Sequence, residues 1–247
     1  MRKKIKRFLK WLFVGLCIYW VTPELIHENE GKSTSSGSVG NGNLQNPYLM
    51  PYWGENFSYF SPISYFVLNS GYLHHRLHQT LLDSYKICEQ TCPKREFCLM
   101  ECANREGGKM LLHYTHQNGL SVDFMTPLKK GKEPFYSLDH LGLWHYLLEF
   151  DDNGRSSLNE SIEIDFETMA KHILALDEAA RKNGLSVKMV ILKVELKDEF
   201  FKTPSGQKVK QRGIYFAQNL RPHVNRLHDD HYHIDFEANS STIQRGK

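Results

Sequence analysis

A chain of 247 residues, 40% hydrophobic and 12% aromatic, carries enough apolar mass for one good-sized domain with appendages, which excludes a fibre or a purely disordered tail. The formal charge of +3 does not describe the body: Arg2, Lys3, Lys4, Lys6, Arg7 and Lys10 crowd the first ten residues, and without them 25 basic side chains face 28 acidic ones. A body without a basic excess offers no electrostatic footprint for a phosphate backbone, so nucleic-acid binding is not expected.

The basic start runs into an apolar stretch from Trp11 to Val21. A positive n-region followed by a short h-region reads as a signal peptide or signal anchor over residues 1–30, and the protein is expected to be exported to the periplasm, free or anchored to the inner membrane. No A-x-A-like cleavage site follows, which leaves excision and retention both open. Cys17 follows Leu16 where a lipid-attachment box wants a small residue, and it reads as one more h-region side chain.

Residues 31–43 (GKSTSSGSVGNGN) have almost no apolar content and are expected to be a flexible linker. One domain follows over 44–237, and residues 238–247 read as a disordered tail. The domain opens with a loop-rich aromatic lead-in containing Tyr48, Tyr52, Trp53, Phe57, Tyr59, Phe60, Tyr65 and Phe66, expected to pack on the core.

Leu73, Leu77, Leu81 and Tyr85 recur every four residues and predict an amphipathic helix. His74 and His78 share one face of it, but HHRLH lacks the glutamate of a hydrolytic HExxH, and a solvent-facing pair is expected. Cys88, Cys92, Cys98 and Cys102 form two Cys-x-x-x-Cys pairs, each on one helical face, with Pro93, Lys94 and Arg95 turning the chain between them. The segment 84–106 therefore reads as a cysteine-rich helical hairpin insertion. Export favours two disulfides, with the nested pairing 88–102 and 92–98 foremost among three possibilities and a four-thiolate zinc knot as the rival.

Phe166, Met169, Ile173, Leu176 and Ala180 predict a helix from Phe166 to Asn183, capped by Asp165 and ended by Gly184. Ser186 to Leu196, β-branched and apolar, predicts a buried strand. Helices beside a few strands without a βαβ rhythm indicate an α+β fold, with a small antiparallel sheet flanked by helices.

Two stretches, HYTHQNGLSVDF (His113–Phe124) and HDDHYHIDF (His228–Phe236), concentrate five of the thirteen histidines beside acidic residues. Alternation in YHIDF puts His231 and His233 on one face of a strand. Asn118-Gly119 marks a turn, and the strand after it puts Ser121, Asp123 and Met125 on one side, so that His116 and Asp123 can converge on one ion with His233. Two histidines, one aspartate and an open fourth position describe a catalytic zinc whose bound water is the nucleophile.

These residues resemble the LAS group of zinc peptidases, named for lysostaphin, D-Ala-D-Ala carboxypeptidase and Sonic hedgehog, with its H-x6-D and H-x-H signature. The likeness is greatest to the penicillin-insensitive murein endopeptidases, through Gly107-Gly108-Lys109-Met110, the HxxHQxGxxxD form over His113–Asp123, and H-x-x-H-x-H over His228–His233. Similar texture around NGNLQN and MPYWGENF extends it over residues 42–236.

The resemblance implies cleavage between D-alanine and meso-diaminopimelate in peptidoglycan cross-links, with peptide stems as partners. It implies His116, Asp123 and His233 as zinc ligands, His231 as general base, His228 as a further active-site histidine, expected to steady the oxyanion as a donor, and His113 as an accessory that supports the metal or binds a second one. No second-metal ligands are matched, although Asp151 and Asp152 lie in the right region. A D,D-carboxypeptidase and a non-catalytic, zinc-containing wall-binding module remain as alternatives on the same scaffold.

Overall fold

The computed structural model describes residues 2–110 and 113–239. Of the expected tail, residues 240–247 lie outside the described residues. The chain begins with helix α1 (Arg2–Leu25). It continues through β1 (Thr34–Ser38), β2 (Asn41–Gln45), β3 (Tyr48–Leu49), β4 (Phe57–Tyr59), a π turn at Ile63–Val67, and β5 (Tyr72–Leu73). Helix α2 (His75–Thr91) leads to β6 (Phe97–Leu99), β7 (Ser121–Met125), β8 (Leu128–Lys130), β9 (Glu133–Pro134) and a 3₁₀ turn at Gly142–Leu147. Strands β10 (Arg155–Ser156) and β11 (Asn159–Ile164) precede α3 (Phe166–Lys182) and β12 (Leu185–Ile191). The short helices α4 (Lys197–Lys202), α5 (Pro204–Gln211) and α6 (Pro222–Arg226) lead into β13 (His231–Ala238).

This is an α+β arrangement, as the segment pattern predicts. A five-stranded sheet runs β12-β13-β7-β6-β4, antiparallel throughout except for the parallel pair β4–β6. Helices α2 and α3 pack on each other, and the sheet face bearing Val122, Phe124, Tyr232, Ile234 and Phe236 is buried in the main core. Phe124 stacks on Tyr232 at 5.3 Å, and the Tyr232 hydroxyl and His172 Nδ1 of α3 share a hydrogen bond at 2.5 Å, which ties helix to sheet. Burying one face of the sheet fixes the register, because a slip of one residue would turn every core side chain outward.

The expected helix is α3, with Asp165 accepting from the Thr168 amide at 3.1 Å and Gly184 at φ +73° beyond its end. The strand expected over residues 186–196 is shorter: β12 stops at Ile191, and Val194–Leu196 turn as a 3₁₀ segment whose first amide is taken by Asn225 Oδ1 at 2.8 Å. It is also half-buried, lying at the sheet edge.

Three further expectations need correction. Residues 31–43 are not a flexible linker: β1 and β2 form a hairpin bonded to the 104–119 segment. Ser35 Oγ donates to the Asn118 carbonyl at 2.6 Å, Gln117 N to Val39 O at 2.9 Å and Leu44 N to Glu106 O at 3.0 Å. Docking through backbone groups needs no apolar side chains, so composition concealed it. The second cysteine pair does not lie on a helix, because Lys94 at φ +67° turns the chain into β6 and carries Cys98 in extended backbone. All four thiols are buried and unbonded, so neither the helical hairpin nor the disulfide pairing is present. Finally, His74 and His78 do not face solvent: His74 Nδ1 accepts from the Arg76 amide at 3.2 Å and caps α2, while His78 is buried beside the ring of Tyr48.

Candidate metal centre

Strands β7 and β13 pair with Asp123 opposite His233, Ser121 opposite Asp235 and Met125 opposite His231. Directly opposed residues project to the same side, so the face that does not enter the main core collects two histidines and two aspartates. His233 Nδ1 donates to Asp123 Oδ1 at 2.7 Å and Nε2 to Asp235 Oδ1 at 2.7 Å, while Ser121 Oγ fixes the same Asp235 oxygen at 2.6 Å. Burial alone would lower the pKa of His233, but Asp235 and Asp123 outweigh it and raise it to about 10.

The other oxygen of Asp123 belongs to the loop before β7. His116 Nε2 stands 3.1 Å from Asp123 Oδ2 and His113 Nδ1 3.6 Å from it. One donor atom from each of these three residues lies within 4.8 Å of the others. His116 adopts φ +70°, a left-handed conformation that costs a residue with a Cβ roughly 1–3 kcal/mol. Its ring is fully buried, and among the described residues neither nitrogen has a hydrogen-bond partner. Nε2 has the Asp123 carboxylate beside it, whereas a buried Nδ1 without a partner is costly unless something else meets it. Burial lowers His113 to about 4 despite the Asp123 charge, which leaves it a neutral ring. Asp123 would be raised by its own burial, yet His116 and His233 hold it well below the usual carboxylate range.

His113, His116 and Asp123 together could hold a metal ion. Imidazoles and a carboxylate are common metal ligands, and His116 Nε2 and His113 Nδ1 approach the same oxygen of Asp123. His233 adjoins through the second oxygen of Asp123, with Asp235 on its far nitrogen as the orienting carboxylate common among metal-bound histidines. His113, expected only as an accessory, thus stands in the same cluster as His116 and Asp123.

His231 lies two residues before His233, with Nδ1 at 2.5 Å from Asp230 Oδ1. Burial opposes its charge, but Asp230 prevails and raises the ring to about 9. The Asp230 backbone is pinned, its carbonyl accepting from Thr126 Oγ1 at 2.8 Å and from a ring nitrogen of His145 at 3.0 Å. Tyr146 sets its ring edge-on to His231 at 5.6 Å and bonds to Glu101, a buried carboxyl that desolvation raises to about 7. His228, at 4.6 Å from His231 between ring centres, donates from Nδ1 to the Val224 carbonyl at 2.7 Å. Burial pushes the ring down to about 3, with its Nδ1 proton held by the Val224 carbonyl.

No protein-family model and no curated protein matches this chain. Its residues alone carry the functional reading. Asp230, Asp235, Tyr146 and Glu101 were missed in the sequence. Asp230 and Asp235 flank the histidine motif in HDDHYHID and were legible as partners, whereas Glu101 and Tyr146 come from separate segments joined only by folding. Asp152 pairs with Lys193 at 3.2 Å, and Asp151 Oδ1 accepts from the Asn153 and Arg155 amides, so neither is brought to the cluster as a second-metal ligand.

Proposed function

We propose that the chain is an exported zinc endopeptidase that hydrolyses the D-alanyl to meso-diaminopimelyl cross-links of peptidoglycan. The observation that carries this reading is the convergence of His113, His116 and His233 on the carboxylate of Asp123, with Nδ1 of the buried His116 making no hydrogen bond among the described residues. His113, His116 and Asp123 would hold the ion, and His233 would join them by giving up the Nδ1 proton it donates to Asp123. When bound, zinc supplies Lewis acidity that polarises a carbonyl and acidifies water.

The protein's own groups supply the rest. His231, held at Nδ1 by Asp230, would move protons between water and the leaving amine through Nε2. Beside a dication its imidazolium is disfavoured, and the neutral ring is the form that accepts a proton. The His228 ring lies 4.6 Å from that of His231, its Nδ1 occupied by the Val224 carbonyl. Tyr114 follows His113, is exposed, and carries the Arg221 guanidinium 5.3 Å over its ring, a cation suited to the carboxylates of peptide stems. Helix α1, long and apolar enough to cross a membrane and almost wholly exposed, supports export with the helix kept as an anchor.

The test is incubation of the detergent-solubilised full chain with defined cross-linked muropeptide dimers, followed by mass spectrometry with and without chelator. Monomers formed only with metal support the endopeptidase. Loss of a terminal D-alanine alone would make it a carboxypeptidase, and binding without products would make it a wall-binding module.

A further inference from the structure

Large apolar side chains gather at one place on the surface that the metal cluster does not use. Trp53 and Trp144 are each 72% exposed and Leu147 70%, Ile63 and Leu143 are exposed as well, and the Trp53 ring packs edge-on against Tyr52 at 5.4 Å. Tyr52, Ile63, Leu143, Trp144 and Leu147 line one open groove of about 810 Å³ to which no Lys, Arg, Asp or Glu contributes among the described residues. A contiguous apolar surface of this kind marks a binding face. The position of the groove indicates what covers it. Its Ile63 side is the π turn at Ile63–Val67, and the end of α1 packs against that same turn. There Glu24 is buried, with its Oε1 3.5 Å from the Tyr72 hydroxyl. The six basic residues are at the other end of α1, the end that stays on the cytoplasmic side in a membrane protein.

We propose that the face formed by Trp53, Ile63, Leu143, Trp144 and Leu147 sits in the lipid headgroup region of the membrane that α1 enters, so that the body lies on the bilayer and does not swing freely from its anchor. Tryptophan suits this zone because its ring is apolar and its N–H still reaches water. The inference rests on the reading of α1 as a retained anchor, and the experiment separates the two. The full chain is reconstituted in phosphatidylcholine vesicles whose acyl chains carry bromine near the headgroup.

In a Trp11→Phe, Trp20→Phe variant only Trp53 and Trp144 emit. Their fluorescence should fall at least about twofold relative to unbrominated vesicles, as expected of interfacial indoles. A Trp53→Phe, Trp144→Phe variant reports α1 through Trp11 and Trp20. Quenching of the α1 pair with none at Trp53 and Trp144 would overturn the membrane face and leave the anchor standing. No quenching in either variant would overturn both. A change in Trp53 and Trp144 emission caused by soluble muropeptide dimers, with no effect of bromine, would make the groove a substrate subsite and likewise end the proposal.

Discussion

Substituting His116 by alanine removes the buried ring beside Asp123, and zinc bound per chain should drop well below one while far-ultraviolet circular dichroism is retained. Unchanged zinc content by elemental mass spectrometry would show that the ring is not a ligand. His231→Ala separates chemistry from binding. It should keep its zinc and lose about 10²- to 10⁴-fold in turnover, the usual contribution of a positioned acid–base group. A fully active His231 variant would remove the role assigned to it. Asp230→Asn should reproduce part of that loss without changing zinc content, because the amide still fills the space beside His231 Nδ1 but carries no charge.

Elements make these residues meet. The register of β7 against β13 places Asp123 opposite His233, and the β1–β2 hairpin holds the loop that carries His113 and His116. Gly119 has no room for a side chain: it sits at φ +74°, and a Cβ there would lie 2.6 Å from Leu44 Cδ2 and 2.9 Å from the His74 amide nitrogen. Gly119→Ala is therefore expected to cost more than about 1 kcal/mol in stability and to weaken zinc binding without touching the metal. Equal zinc affinity in a calorimetric titration would show that the loop does not need this turn. The strands and the helix at Phe166–Lys182 were legible because apolar spacing reports burial directly. The hairpin was not, since its docking bonds are carried by backbone groups and a serine hydroxyl. Nor was the extended path of the second cysteine pair, where a spacing of four looks the same on a helix and off it.

For the molecule as a whole, buried neutral histidines make acid destabilising. His172 on α3 is fully buried, and desolvation lowers it to about 3 from an ordinary 6.5. Between those values the unfolded chain binds a proton that the folded chain refuses. The contribution to stability is complete above pH 6.5 and is lost as pH falls towards 3. Urea midpoints should decline over that window, and His172→Asn, which can still hydrogen-bond to Tyr232, should flatten the decline. Identical slopes in the two proteins would assign the acid sensitivity elsewhere.

Zinc should also act globally by binding only the folded state, raising the melting temperature in a concentration-dependent way that chelator reverses. The central claim is that one zinc ion is held by imidazole and carboxylate and not by the buried thiols. Zinc K-edge X-ray absorption on the full chain loaded with one equivalent should show nitrogen and oxygen at about 2.0–2.1 Å with imidazole scattering and no sulfur. A sulfur shell at about 2.3 Å, or zinc that washes off before measurement, would contradict it.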